Sequence, residues 1–179
     1  MSQIIVTPLS ALPESIRRYR PSRVVTLLSP EHMIETPEGF AEEHHLKLPV
    51  NDIAEAWAGE APPGETHVRA LLTFGRAWNA EAPIIVHCWA GVSRSMAAAY
   101  AMLCDRMGPG HELAIAQEIR SRAPHADPNR LIVRLADEML GRDGRMIEAV
   151  ESIGRGVLVT EGTPVELPLF LSARAASGR

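Results

Sequence analysis

The chain has 179 residues, 46% of them hydrophobic and 22% charged, with a net charge of −4 and a sequence pI of about 6.0. That length suits a single domain over residues 1–179, large enough to bury a core without disulfide or metal staples. The slight acidic balance argues against a nucleic-acid or anionic-membrane partner.

The opening residues lack a basic segment followed by a long apolar run, so no secretory signal is expected, and no stretch approaches a membrane span. Only two cysteines occur, Cys88 and Cys104, which fits a reducing, cytoplasmic setting. Residues 172–179 read as a frayed tail. The oligomeric state leaves no mark on the sequence.

In chain order, Gln3-Ile4-Ile5-Val6 predicts a short strand. A helix follows over Ser10–Tyr19, capped by Ser10 and spaced at Leu12 and Ile16. Arg23–Leu28 predicts a second strand. His45–Val50 predicts a third, half exposed, with Leu46, Leu48 and Val50 on one face and His45, Lys47 and Pro49 on the other. Residues 51–65 form a long surface loop, a length that often carries function.

Thr66 is placed to cap a helix running to about Asn79. The strand Pro83–Val86 comes next, and a nearly all-apolar helix over Ser95–Met107 implies burial at the centre of the fold. An amphipathic helix follows over His111–Arg122 with Leu113, Ile115, Ala116 and Ile119 inward. The next is expected to start at Pro128 behind an Asp127 N-cap, with Leu131, Ile132, Leu135, Ala136, Met139 and Leu140 facing the core. A last helix near residues 144–153 and a hairpin turning at 161–164 complete the reading. The order predicts an α/β architecture, a central sheet of four to five strands flanked by helices.

The chemistry concentrates where the strand Pro83–Val86 feeds His87-Cys88-Trp89-Ala90-Gly91-Val92-Ser93-Arg94-Ser95. A strand, a curled loop and a helix start leave backbone N–H groups unpaired and convergent, which suits an oxyanion. Gly91 permits the curl, and Arg94 can fork onto two phosphate oxygens. A cysteine at the base of such a nest sits in a positive field that lowers thiol pKa to roughly 3.5–7.5 and makes a thiolate nucleophile. Ser95 is placed to hydrogen-bond the sulfur.

This stretch resembles the signature of the cysteine-dependent protein tyrosine phosphatases, and most of all that of the compact dual-specificity phosphatases. The resemblance covers roughly residues 46–140. It implies a phosphatase-like fold with the phosphate-binding loop between a central strand and a buried helix. It implies hydrolysis of phosphotyrosine, with phosphoserine and phosphothreonine as a second class, through a phosphocysteine intermediate. Cys88, Arg94, Asp52 and Ser95 would be catalytic, residues Trp89 through Arg94 would bind phosphate, and His87 would orient the loop. The substrate would be a phosphorylated protein or a small phosphoester, with neither cofactor nor metal required.

Such a reaction needs a proton donor for the leaving oxygen. Asp52, in Leu48-Pro49-Val50-Asn51-Asp52-Ile53-Ala54-Glu55, resembles the family's general acid, with Glu55 as second choice and an N-cap at 53–57 as its structural alternative. Arg122, Pro128 and Asn129 resemble a family pattern in which the asparagine supports the active-site loops; helix capping would also account for Asn129. Trp89 is expected to pack inward and Trp57 to form a substrate lip. Cys104 is a helix-core residue that would also serve as a redox partner for Cys88. His44 and His45 point to opposite faces and make no paired metal site. Two other classes remain open: a non-catalytic phosphate-binding adaptor, and a rhodanese-like sulfurtransferase, which needs neither Asp52 nor the Cys88–Arg94 spacing.

Overall fold

A computed structural model describes residues 3–55 and 59–169. Among these residues five strands form one sheet: β1 (Gln3–Pro8), β2 (Arg23–Leu28), β3 (His45–Pro49), β4 (Ile84–Cys88) and β5 (Val165–Pro168), in the order β3-β2-β4-β1-β5. The first four run parallel, and β5 closes the far edge antiparallel to β1. Among the described residues six α-helices connect and cover them: α1 (Leu12–Tyr19), α2 (Glu65–Arg76), α3 (Arg94–Met107), α4 (Glu112–Arg122), α5 (Arg130–Leu140) and α6 (Arg145–Ser152). This is the predicted α/β architecture.

Strand parity explains the layers. Ile4, Val6, Val25, Leu27, Leu48, Ile84 and Val86 point toward the face covered by α2 to α6 and form the larger core. Their neighbours Ile5, Val24 and Ile85 point the other way, onto Leu12 of α1 and onto Ile34 and Phe40. Both faces of the sheet are therefore buried, as a parallel sheet requires.

That second cover corrects the reading of β3. His45 lies on the face expected to meet solvent, yet it is buried beneath the 30–44 connection, where its Nδ1 meets the Thr36 hydroxyl at 3.1 Å. Other boundaries shift for local reasons. The turn at Leu9–Ala11 is 3₁₀, α1 starts only at Leu12, and Ser10 donates to Glu161 Oε1 instead of capping. Gly64, rather than Thr66, is the N-cap of α2, and its N–H bonds His67 Nδ1 at 3.1 Å.

On α4, Leu113 is exposed while Glu112 turns inward to Arg142, so the inner face is rotated from the predicted one. Helix α5 is capped by Asn129, whose Oδ1 accepts from Ile132 N, and not by Asp127. The predicted C-terminal hairpin does not form among the described residues. Val165–Pro168 pairs with β1 instead, and the segment before it lies against the loop after β4, with Gly162 N donating to Ala90 O at 2.8 Å. No helix among the described residues is long and apolar enough to cross a membrane.

Candidate active site

Strand β4 runs between β2 and β1 and is longer than predicted, carrying His87 and Cys88 within the sheet. Cys88 therefore ends the strand at the sheet's C-terminal edge, 1% exposed, with Sγ 3.1 Å from the Ser95 hydroxyl in the first turn of α3. The chain from residue 89 to 93 curls over this sulfur. Gly91 makes the curl possible: its φ is +69°, and a Cβ there would stand 2.8 Å from Pro8 N.

The loop's carbonyls are held from outside. Leu9 N donates to Trp89 O, Gly162 N to Ala90 O, Asp127 N to Val92 O, and Asn129 N to Ser93 O, all within 3.2 Å. Carbonyls tied outward leave the loop's N–H groups facing the middle. Among the described residues no backbone carbonyl accepts a bond from them. This is an anion nest set at the start of a helix.

Arg94 lines the nest, only 8% exposed. Its Nη1 donates to Val50 O at 2.9 Å, which ties the guanidinium to the end of β3. Among the described residues its Nε is buried without a hydrogen-bond partner. A buried donor of this kind awaits an acceptor. Across the opening stands Asp52, with Oδ2 3.9 Å from Arg94 Nε.

Asp52 Oδ1 accepts two bonds, from Ser93 Oγ at 2.7 Å and Asn129 Nδ2 at 2.8 Å. Asn129 thus does both jobs weighed for it, because its Oδ1 caps α5 while its Nδ2 holds Asp52 and also Ile53 O. The base of the loop that carries Asp52 is closed by Asn51 N on Ala61 O and Asn51 Nδ2 on Glu60 O. Ile53 to Glu55 are not helical, and the rest of the turn weighed for Asp52 lies outside the described residues. Glu55 is turned away onto Arg134 at 3.3 Å.

His87 lies wholly inside, with Nε2 2.7 Å from the Thr26 hydroxyl. Burial pushes its imidazole down to about 4, with the Cys88 main chain partly opposing. Trp89 does not pack inward: its side chain is 53% exposed and stands edge-on to His32, ring centres 5.3 Å apart. The Trp57 lip lies outside the described residues. His44 is exposed and His45 buried, so the two do diverge.

Cys104 lies nine positions beyond Ser95 on α3, a rise of about 14 Å along the helix. Burial pushes its thiol up to about 12, and both cysteines are free. Sequence reasoning missed the Ser93 side chain, the Val50 carbonyl, Thr26 and His45. Ser93 stood inside the motif, but its hydroxyl direction follows only from the fold. Thr26 and His45 carry no motif at all.

No family model and no curated relative match this sequence. Solved structures do match. Human DUSP28 is 21% identical, with 77% of this chain and 91% of that one covered and a TM-score of 0.59. The Yvh1 phosphatase domain from Chaetomium thermophilum is 20% identical over 80% of this chain and 93% of that one, with a TM-score of 0.54. PTPMT1, solved in complex with PI(5)P, is 17% identical over 80% and 90%, also at 0.54. Together with the parallel sheet and the strand-to-helix cysteine loop, they identify the chain's fold as the one these phosphatase structures share.

Proposed function

We propose that this chain is a cysteine-dependent phosphatase that hydrolyses phosphotyrosine in proteins, and phosphoserine or phosphothreonine as a second class, through a phosphocysteine intermediate. The observation that carries the proposal is the buried, unpaired Arg94 Nε facing Asp52 across a nest of N–H groups above the Cys88 sulfur. A phosphoryl group fits there: its oxygens take the N–H groups and the guanidinium, while phosphorus faces the thiolate. The loop has no lysine, which suits a single phosphoester better than a multiply phosphorylated headgroup.

In the first step the Cys88 thiolate attacks phosphorus and the P–O bond to the leaving group breaks. Asp52 gives that oxygen its proton. Oδ1 is the anchored oxygen, bound to Ser93 and Asn129, so Oδ2, on the Arg94 side, is the one free to carry the proton. In the second step Asp52, now a carboxylate, takes a proton from a water that attacks phosphorus. The S–P bond breaks, inorganic phosphate leaves, and the Ser95 hydroxyl donates to the departing sulfur. A thiolate that must stay free suits a reducing, cytoplasmic compartment.

The test is turnover of an aryl phosphate by the wild type, Cys88→Ser and Asp52→Asn. Loss of turnover in the first and a large fall in the second are expected, the fall shrinking as the leaving group improves. Undiminished hydrolysis by Cys88→Ser would end the nucleophile assignment. Tight phosphopeptide binding without wild-type turnover would make the chain an adaptor, and sulfur transfer from thiosulfate to cyanide would make it a sulfurtransferase.

A further inference from the structure

The segment between α6 and β5 takes no part in the mechanism above, yet it reaches the nucleophile loop. Residues 154–164 run back as a strap across the connection between α4 and α5. Arg120 ties the two together, with Nη1 donating to Pro124 O at 2.7 Å and Nη2 to Gly154 O at 2.8 Å. Val157 N also donates to Pro124 O, at 2.8 Å, and Arg155 pairs with Asp127 at 3.1 Å. At the far end Ser10 donates to Glu161 Oε1, and the next residue, Gly162, is buried with its N–H on Ala90 O at 2.8 Å.

Two glycines set how closely the strap lies. A Cβ on Gly156 would stand 2.5 Å from His125 O, and one on Gly162 would stand 2.5 Å from His125 Nε2. Neither glycine has a positive φ, so space rather than backbone conformation requires glycine at both. The obstacle at Gly156 is main chain. At Gly162 it is one ring, buried and with little room to yield, whose removal would clear the position.

Ala90 O and Gly91 N–H belong to one peptide unit. In a planar trans peptide the two point opposite ways, so a carbonyl held outward turns the N–H inward, toward the space above Cys88 Sγ. This unit turns over more readily than its neighbours, because it precedes Gly91 and glycine takes φ of either sign. Turned over, it would aim the Ala90 carbonyl at the anion and leave the buried Gly162 N–H without an acceptor. The carbonyls of Trp89 and Val92 are held by Leu9 and Asp127, whereas that of Ala90 is held by the strap.

We propose that Gly162 is a positioning residue: its N–H pins the Ala90–Gly91 peptide so that the Gly91 N–H points into the anion nest, and the strap keeps that pin in place. The kinetic consequence rests on the phosphatase reading. The peptide's orientation does not.

The test compares the wild type with Gly162→Ala, whose Cβ meets the His125 ring and lifts the strap from Ala90 O, and with the double variant Gly162→Ala/His125→Ala, which clears the obstacle. In NMR spectra of ¹³C,¹⁵N-labelled protein, inorganic phosphate should move the wild-type Gly91 amide proton downfield, as a donor that gains an anionic acceptor does. Gly162→Ala should lose that response and the double variant should regain it. On an aryl phosphate, kcat/KM of Gly162→Ala should fall about tenfold to a hundredfold, approaching the loss of one donor from a preorganised anion site. His125→Ala alone and the double variant should stay within about threefold of the wild type, the signature of two coupled neighbours. A strap with a merely structural role would make the double variant worse than either single one.

A wild-type Gly91 signal indifferent to phosphate overturns the proposal. So does a folded Gly162→Ala with wild-type response and kinetics, or a double variant no better than Gly162→Ala. If Gly162→Ala does not fold, the wild-type response and the double variant decide. Turnover with an indifferent Gly91 would remove the pin and leave the phosphatase reading standing, whereas a responsive Gly91 without turnover would do the reverse.

Discussion

Helix α3 has a cysteine associated with each end, and the two ends are built on opposite plans. At its start, Cys88 lies under a loop whose N–H groups face inward, and the neighbouring Arg94 leaves Nε unpaired. At its far end, Cys104 is enclosed by a cluster whose groups mostly find partners. Tyr100 donates to Glu112 O at 3.1 Å, Arg142 donates to Cys104 O at 2.9 Å, and Asp137 accepts from the Gly144 and Met146 N–H groups. Burial alone thus does not decide what a thiol can do. At the first end the unpaired donors surround an opening that an anion can enter, whereas at the second the groups left without a hydrogen bond, Arg142 Nε and Glu112 Oε1, belong to two residues that face each other as an ion pair.

The sharpest way to break that comparison is to exchange the fates of the two thiols. Cys104→Ala should keep aryl phosphate turnover within about twofold, since it touches nothing at the nest, while losing about 1–2 kcal/mol of stability for the vacated core volume. Cys88→Ala should lose turnover altogether. Steady-state kinetics and urea midpoints check both, and loss of activity in a folded Cys104→Ala would show the ends to be coupled.

Next in size is Arg94→Lys. A lysine keeps the charge but loses the planar fork and the bond to Val50 O, so kcat/KM should fall about a hundredfold to a thousandfold. A lysine variant with wild-type kinetics would reduce Arg94 to a mere point charge.

Gly91→Ala tests whether the loop is built or merely permitted. Its Cβ would stand 2.8 Å from Pro8 N at a φ of +69°, so about 1–3 kcal/mol of stability and most of the turnover should be lost together. Ser93→Ala removes one of the two donors on Asp52 Oδ1 and should lower kcat about tenfold while leaving KM alone. Kinetics with substrates of different leaving groups would localise the effect, which should be greatest for poor ones.

A last test reads stability rather than turnover, through its pH dependence at the open end. An unfolded histidine takes its proton near 6.5 and folded His87 near 4, so the unfolded chain binds more protons between those values. Stability is fully present above pH 6.5 and falls as pH drops toward 4, by about 3 kcal/mol from His87, with His45 acting in the same direction. Urea midpoints measured from pH 7 to 5 should decline. A flat profile would mean that His87 titrates as though exposed.

What the sequence determined by itself was local. Cys88, Gly91, Arg94 and Ser95 lie within eight consecutive residues, where a strand end, a glycine curl and a helix start set the geometry among near neighbours. Strand parity and helical periodicity likewise made the α/β layers legible, since apolar spacing is a property of the chain. What only the tertiary structure decided were the long-range and two-sided choices. Asp52 meets Ser93 and Asn129, 41 and 77 positions away, and no local pattern encodes such a meeting. Alternation along β3 marks two faces without saying what covers the second, and only the fold shows that His45 is buried there. Asn129 displaced Asp127 as the cap because its carbonyl and amide ends satisfy α5 and the Asp52 loop at once. Trp89 stays outside because the loop's inward side is occupied by its N–H groups, leaving the indole only the rim.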